Sequence, residues 1–216
     1  MGGPALNVRE GFLSGIPKRA GSDLLLFAVT AAELIVLLWL TPSFTLVDWI
    51  YVFQHLWVLA IALTRRPPAA RDVSPTTSLA VAVSCVYPYA QVIYLHVETG
   101  YVVWPEAGLV LVTLSACLSL VSLLSIGRLF GLRPALRGLA TRGPYGFVRH
   151  PLYLAYVLSD IGYYLHEWNV GLALIGIAGW ASLLYRIHAE ERVLSEDARW
   201  QAYIGTVPYR LVPGVW

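Results

Sequence analysis

The chain has 216 residues, of which 57% are hydrophobic and only 13% charged, and its mean hydropathy is +0.63. A soluble globular domain carries about 25% charged residues, so a water-soluble single domain is excluded. The formal net charge of +2 is small and its basic residues are spread along the chain, which excludes a nucleic-acid polyanion as partner.

Six apolar blocks follow one another: Leu24 to Leu40, Val47 to Leu63, Leu79 to Leu95, Ala107 to Ile126, Pro151 to Leu165 and Val170 to Ile187. Each approaches the roughly 20 residues a helix needs to cross a bilayer. The pattern predicts an all-α, polytopic membrane helix bundle of about six spans. Two regions are expected, a four-span N-terminal part over 1–126 and a C-terminal part over 127–216. The fourth block is a long run without ionisable residues, whereas others are shorter or carry Glu33, Asp48 with His55, or Asp160, and are expected to tilt or to re-enter. The first block has no small-residue cleavage pattern after it and reads as a retained span rather than a signal peptide.

Lys and Arg accumulate in cytoplasmic loops. With both termini cytoplasmic, all 15 basic residues fall on that side: Arg9, Lys18 and Arg19 before the first span, Arg65, Arg66 and Arg71 after the second, Arg128, Arg133, Arg137, Arg142 and Arg149 after the fourth, and Arg186, Arg192, Arg199 and Arg210 at the end. The opposite loops hold Glu98, Glu106 and Glu167 and no Lys or Arg. Cys85 and Cys117 fall inside predicted spans and read as small packing residues, neither a disulfide nor a metal pair; no metal site is expected. Trp39, Trp49, Tyr101, Trp104, Trp168 and Tyr185 lie near block ends, as interfacial anchors do.

The segment from Gly127 to Pro151 holds five arginines and five glycines. Its Leu129, Phe130, Leu132, Leu136 and Leu139 would let it lie along the interface, with Arg133 and Arg137 facing phosphates. It leads into Arg149-His150-Pro151-Leu152-Tyr153. Pro151 suits the first position of the fifth helix, where its missing N–H costs nothing. His150 would then cap that helix, and its free N–H groups with Arg149 beside them suit a carboxylate or phosphate. The sixth span runs out into Glu190-Glu191, two carboxylates near a helix C-terminus that disfavours negative charge, and so they require a cationic partner. The remaining tail, with Trp200, Tyr203, Val207-Pro208-Tyr209-Arg210 and Pro213, is expected to fold back onto the cytoplasmic face.

At these residues the sequence resembles the isoprenylcysteine carboxyl methyltransferase and phospholipid methyltransferase family of integral membrane enzymes. The resemblance rests on Gly143 and Tyr145; on Arg149, His150, Pro151 and Tyr153 entering a span; on Glu190, Glu191 and Leu194 ending the next; and on Tyr203, Val207, Pro208 and Pro213 in the tail. It covers roughly the last 90 residues. The family commonly has Phe-Gly and a first Tyr after the Glu pair, where this chain has Ala198-Arg199-Trp200 in a shorter interval. What the resemblance implies is an enzyme using S-adenosylmethionine as cofactor, with a cytoplasm-facing pocket built from the His150 turn, the Glu pair and the tail. It implies a lipophilic or prenylated acceptor arriving from the lipid. On that reading Tyr145, His150, Pro151, Tyr153, Glu190, Trp200 and Tyr203 hold the cofactor. Arg149 orients an anionic acceptor, and Glu190 or Glu191 meets the cofactor ammonium or acts as base. A carboxylate acceptor needs no base, while an amine or hydroxyl does.

Arg-His-Pro is shared with membrane sterol reductases that use NADPH, and a non-catalytic membrane protein could keep the motif as a fold element; both stand as alternatives. The acceptor-specific part would lie in the first four blocks, with Asp160 divided between a structural hydrogen bond and the acceptor path, and Glu33 with His55 expected to pair structurally. The compact length suggests a prokaryotic cytoplasmic membrane.

Overall fold

The computed structural model describes residues 19–41, 43–98 and 100–216; Arg9 and Lys18, which entered the charge argument, lie outside them. Six helices correspond to the six apolar blocks: α1 Arg19–Leu40, α2 Leu46–Thr64, α3 Pro75–Val97, α4 Pro105–Ile126, α5 Pro151–His166 and α6 Val170–Leu194, followed by the short α7, Trp200–Thr206. Strand structure among the described residues is confined to two-residue pieces, β1 Ala70–Arg71, β2 Tyr101–Val102, β3 Ala135–Leu136 and β4 Glu167–Trp168.

Local chemistry sets the helix starts. Thr45 and Asp48 form a reciprocal capping box on α2, satisfying two donors that the first turn leaves unpaired. Ser74 caps α3 through the Thr77 N–H, and Asn169 caps α6 through the Gly171 N–H at 2.8 Å. Pro75, Pro105 and Pro151 each occupy a first-turn position, where no donor is lost. α4 stops at Gly127, whose φ of 48° is a conformation open chiefly to glycine.

Among the described residues four helices are long and apolar enough to cross a membrane: Leu46–Thr64, Pro75–Leu95, Pro105–Leu129 and Val170–Leu194. The apolar part of α1, Leu24–Leu40, is shorter. α5 has 16 residues and so rises about 24 Å, against about 30 Å of hydrocarbon.

The most extensive packing joins α4 to α5, then α3 to α6, then α1 to α2. Glycines make the first two contacts possible. A Cβ on Gly108 would lie 2.6 Å from the Gly162 carbonyl oxygen, so α4 and α5 touch backbone to backbone. On α6, a Cβ at Gly179 would run into the Tyr87 ring of α3. Cys85 and Cys117 are both free thiols.

The loops segregate to two ends. At one, β1 pairs antiparallel with β3, Ala70 opposite Leu136, and Arg66 N–H reaches the Arg128 carbonyl. At the other, β2 pairs with β4 and Gly100 N–H donates to Glu167 Oε1 at 2.6 Å. The loops and tail that hold Arg65 to Arg71, Arg128 to Arg149 and Arg192 to Arg210 therefore share one end, and Glu98, Glu106 and Glu167 share the other.

Candidate active site

At the basic end the start of α5 meets the end of α6 and the tail folds over both. His150 directly precedes Pro151, but its side chain makes no capping hydrogen bond; the ring turns instead toward the Glu pair. Arg149 N–H donates to the Tyr209 carbonyl and His150 N–H to the Arg210 carbonyl, each at 2.9 Å. These two bonds tie the tail to the residues just ahead of the α5 start.

The adjacent carboxylates have different surroundings. Glu191 accepts from Arg149 Nε at 2.8 Å and Arg210 Nε at 2.9 Å, and His150 Nε2 stands 3.3 Å from its Oε1. Arg149 also donates through Nη1 to the Val207 and Pro208 carbonyls at 3.2 and 2.9 Å. Glu191 therefore fastens the tail to the start of α5. Glu190 accepts from the Tyr153 hydroxyl, with Arg186 Nη2 at 3.7 Å and His150 Nδ1 at 3.8 Å. The His150 ring lies between the two carboxylates and stacks on Tyr153, ring centroids 5.7 Å apart.

Arg186, which sequence reasoning used only as a topological marker, is a central member. It is buried, stands over the Tyr153 ring at 5.2 Å, and donates to Ser84 Oγ at 2.6 Å and the Leu132 carbonyl at 2.9 Å. Its Nε is buried without a hydrogen-bond partner among the described residues. The i, i+4 spacing of Arg186 and Glu190 was a readable signal for this pairing.

The tail aromatics close one wall. Trp200 and Tyr203 are buried in a cluster with Val207, against which Leu139 and Leu194 pack. The Tyr203 hydroxyl donates to the Tyr145 carbonyl at 2.8 Å. Burial pushes the Tyr203 phenol up to about 12. It also raises Tyr145, with the Glu190 charge adding to the effect, so both phenols keep their protons at neutral pH.

One cavity of about 370 Å³ connects these groups. Tyr145, Arg149, His150, Tyr153, Glu190, Trp200 and Tyr203 line its basic end, whereas Glu191 and Pro151 do not line it. Arg133 and Arg137 also line it, where the sequence suggested a membrane-surface position for both. The cause is the β1–β3 pairing, which folds the 127–150 segment over the bundle end. From there the cavity runs between α2, α3 and α5 to Glu33, His55 and Asp160.

Of the motif residues, Tyr145, Arg149, His150, Tyr153, Glu190 and Leu194 line this cavity. Residues 108–196 match the model of the isoprenylcysteine carboxyl methyltransferase (ICMT) family. The resemblance read from the sequence is borne out over that segment. The family is one of membrane methyltransferases, consistent with the apolar helices found here. No individually curated protein matches the chain.

Proposed function

We propose that the protein transfers the methyl group of S-adenosylmethionine to a lipophilic acceptor at the cytoplasmic face of the membrane. The observation that carries this reading is the position of Glu190. It is an acidic side chain on the wall of the cavity, fixed by Tyr153 and Arg186, inside a segment that matches a methyltransferase family.

The residues present fit such a cofactor. Its ammonium suits Glu190, its carboxylate suits the guanidinium groups of Arg133 and Arg137, and its purine suits the rings of Tyr145, Trp200 and Tyr203, which also form a favourable surface for a sulfonium cation. When bound, S-adenosylmethionine supplies an electrophilic methyl group. The chain's own contribution is to orient and to exclude water, which accounts for most of the acceleration in an in-line displacement. His150 and Tyr153 hold Glu190 in position. Glu191, with Arg149 and Arg210, holds the tail as the cover of the site. The acceptor enters from the lipid through the part of the cavity between α2, α3 and α5. A carboxylate acceptor reacts without a base, and for a hydroxyl or amine Glu190 is the nearest carboxylate on the cavity wall.

The topology follows the charge segregation. With the Arg-rich end cytoplasmic, α5 returns the chain across the membrane on this reading, which is supported by its start being tied to the Arg-rich tail and its end to β2 at the acidic end. This supports a reading with six crossings and both termini cytoplasmic.

Calorimetric titration of the purified full chain in detergent with S-adenosylhomocysteine and with NADPH tests the reading. Saturable binding of the first alone is expected. Binding of NADPH alone makes the protein a reductase, and binding of neither leaves a non-catalytic membrane protein.

A further inference from the structure

The membrane half of the cavity is not lined as a channel for plain hydrocarbon would be. Glu33 from α1, His55 and Gln54 from α2, Tyr89 and Gln91 from α3 and Asp160 from α5 all reach its wall. Polar groups at this depth are costly unless they are paired. Most of these are paired. Gln54 donates to the Ala116 carbonyl at 3.0 Å and accepts from Ser119 at 3.1 Å. Gln91 donates to the Tyr164 hydroxyl at 2.9 Å, and Asp160 accepts from the Trp180 indole at 2.6 Å.

Glu33 is different. Among the described residues it makes no hydrogen bond, and its recorded partner is His55 Nε2 at 3.9 Å. His55 Nδ1 lies 2.7 Å from the Tyr51 carbonyl, which can only accept, so Nδ1 carries a proton. In the neutral imidazole Nε2 is then an acceptor, filled by the Tyr89 hydroxyl at 3.3 Å. The Glu33 carboxylate consequently faces a ring nitrogen with no direct hydrogen bond, at a spacing that leaves its own oxygens available to a donor in the cavity.

This place lies deeper than the cofactor end. The Arg186 guanidinium beside Glu190 is fixed on Ser84, and Tyr89 stands five residues further along α3, about 7.5 Å by helical rise.

Resting on the methyltransferase reading above, we propose that the natural acceptor carries a hydroxyl group remote from the atom that is methylated, and that Glu33, His55 and Tyr89 bind that hydroxyl. The substrate class is a hydroxylated amphiphile rather than an unsubstituted prenyl chain. Its hydroxyl donates to the Glu33 carboxylate beside the His55–Tyr89 pair, and the connecting apolar portion spans the distance to the cofactor end.

The test is the affinity of the full chain in lipid nanodiscs for two probes, N-acetyl-S-geranyl-cysteine and its ω-hydroxygeranyl analogue, in the presence of saturating S-adenosylhomocysteine. A hydrogen bond predicts about three- to tenfold tighter binding of the hydroxylated probe. Glu33→Leu removes that preference, and Tyr89→Phe, which deletes one oxygen only, reduces it; neither alters the affinity for the plain probe or for S-adenosylhomocysteine. Equal affinity for both probes, tighter binding of the plain chain, a preference that survives Glu33→Leu, or binding of neither probe overturns the inference. Binding of S-adenosylhomocysteine, measured separately in the same nanodiscs, reports on the methyltransferase reading itself. Loss of the hydroxyl preference with that binding intact removes only the acceptor assignment.

Discussion

The sharpest consequence of the site's geometry concerns two neighbouring residues that the sequence presents as a pair. Glu191 is nearly buried, with 12% side-chain exposure, and its partners Arg149 and Arg210 are 9% and 29% exposed. Replacing it by Gln keeps the shape and one acceptor oxygen but leaves two guanidinium groups sharing a partly closed site without a counter-charge. Removing one partner of a fully buried pair costs 3–5 kcal/mol; Arg210 retains some water, so the expected cost is about 2–3 kcal/mol. That shifts the equilibrium between docked and undocked tail by about 30- to 160-fold. The assay is tryptic cleavage at Arg210 of detergent-purified protein under conditions where the tail opens and closes faster than it is cut, so that the rate follows the open population. Glu191→Gln should accelerate cleavage by that factor. Glu190→Gln, which has no bond to the tail, should leave it unchanged while abolishing S-adenosylhomocysteine binding. Equal cleavage in wild type and Glu191→Gln would refute the assignment of Glu191 as the tail fastener.

Gly108→Ala places a methyl group 2.6 Å from the Gly162 carbonyl oxygen and 2.7 Å from the His166 nitrogen, backbone atoms that cannot move aside. A destabilisation of about 1–3 kcal/mol should appear as a lower melting temperature. An unchanged melt contradicts the close α4–α5 contact. Tyr203→Phe loses the bond to the Tyr145 carbonyl and should cost about 1 kcal/mol while loosening the tail in the same cleavage assay. Asp72, in the loop before α3, is buried, which alone would push its carboxyl above the usual range. The Ser74 N–H and hydroxyl and the Thr77 hydroxyl outweigh this and hold it below the usual carboxylate range. Its contribution to stability is therefore present above the unfolded value of about 3.9 and is lost as pH falls through the lower folded value. Melting curves from neutral pH downward should show a steeper acid decline in wild type than in Asp72→Asn, and parallel declines contradict the argument.

The helices were legible because hydropathy and first-turn prolines act locally. Pro151 marks a start that the structure keeps and the fourth block ends with α4 at Ile126, whereas α3 and α4 begin at Pro75 and Pro105, ahead of the apolar blocks at Leu79 and Ala107. The gathering of basic loops at one end was equally legible, since it depends on sequence order alone. The limits of the sequence appear where long-range pairing decides. Nothing adjacent to Glu190 and Glu191 tells them apart. The difference arises because successive residues on a helix point about 100° apart, so one faces Tyr153 and Arg186 across the cavity and the other faces Arg149 and Arg210 under the tail. Arg133 and Arg137 suited a lipid interface by composition, but the pairing of Ala70 with Leu136 turns their segment inward. Glu33 and His55 were recognisable as costly intramembrane groups, whereas their place on the wall of the same cavity that reaches Glu190 depends on how α1, α2 and α3 converge.

The central claim is that the cavity end around Glu190 holds the methyl donor. Ultraviolet cross-linking of tritiated S-adenosylmethionine to the full chain, followed by peptide mapping, tests it most directly. Label is expected in peptides from Leu129–Tyr156 or Arg186–Tyr203, displaced by excess S-adenosylhomocysteine and absent in Glu190→Gln. Label confined to peptides of α1 to α3, or label that S-adenosylhomocysteine does not displace, contradicts it.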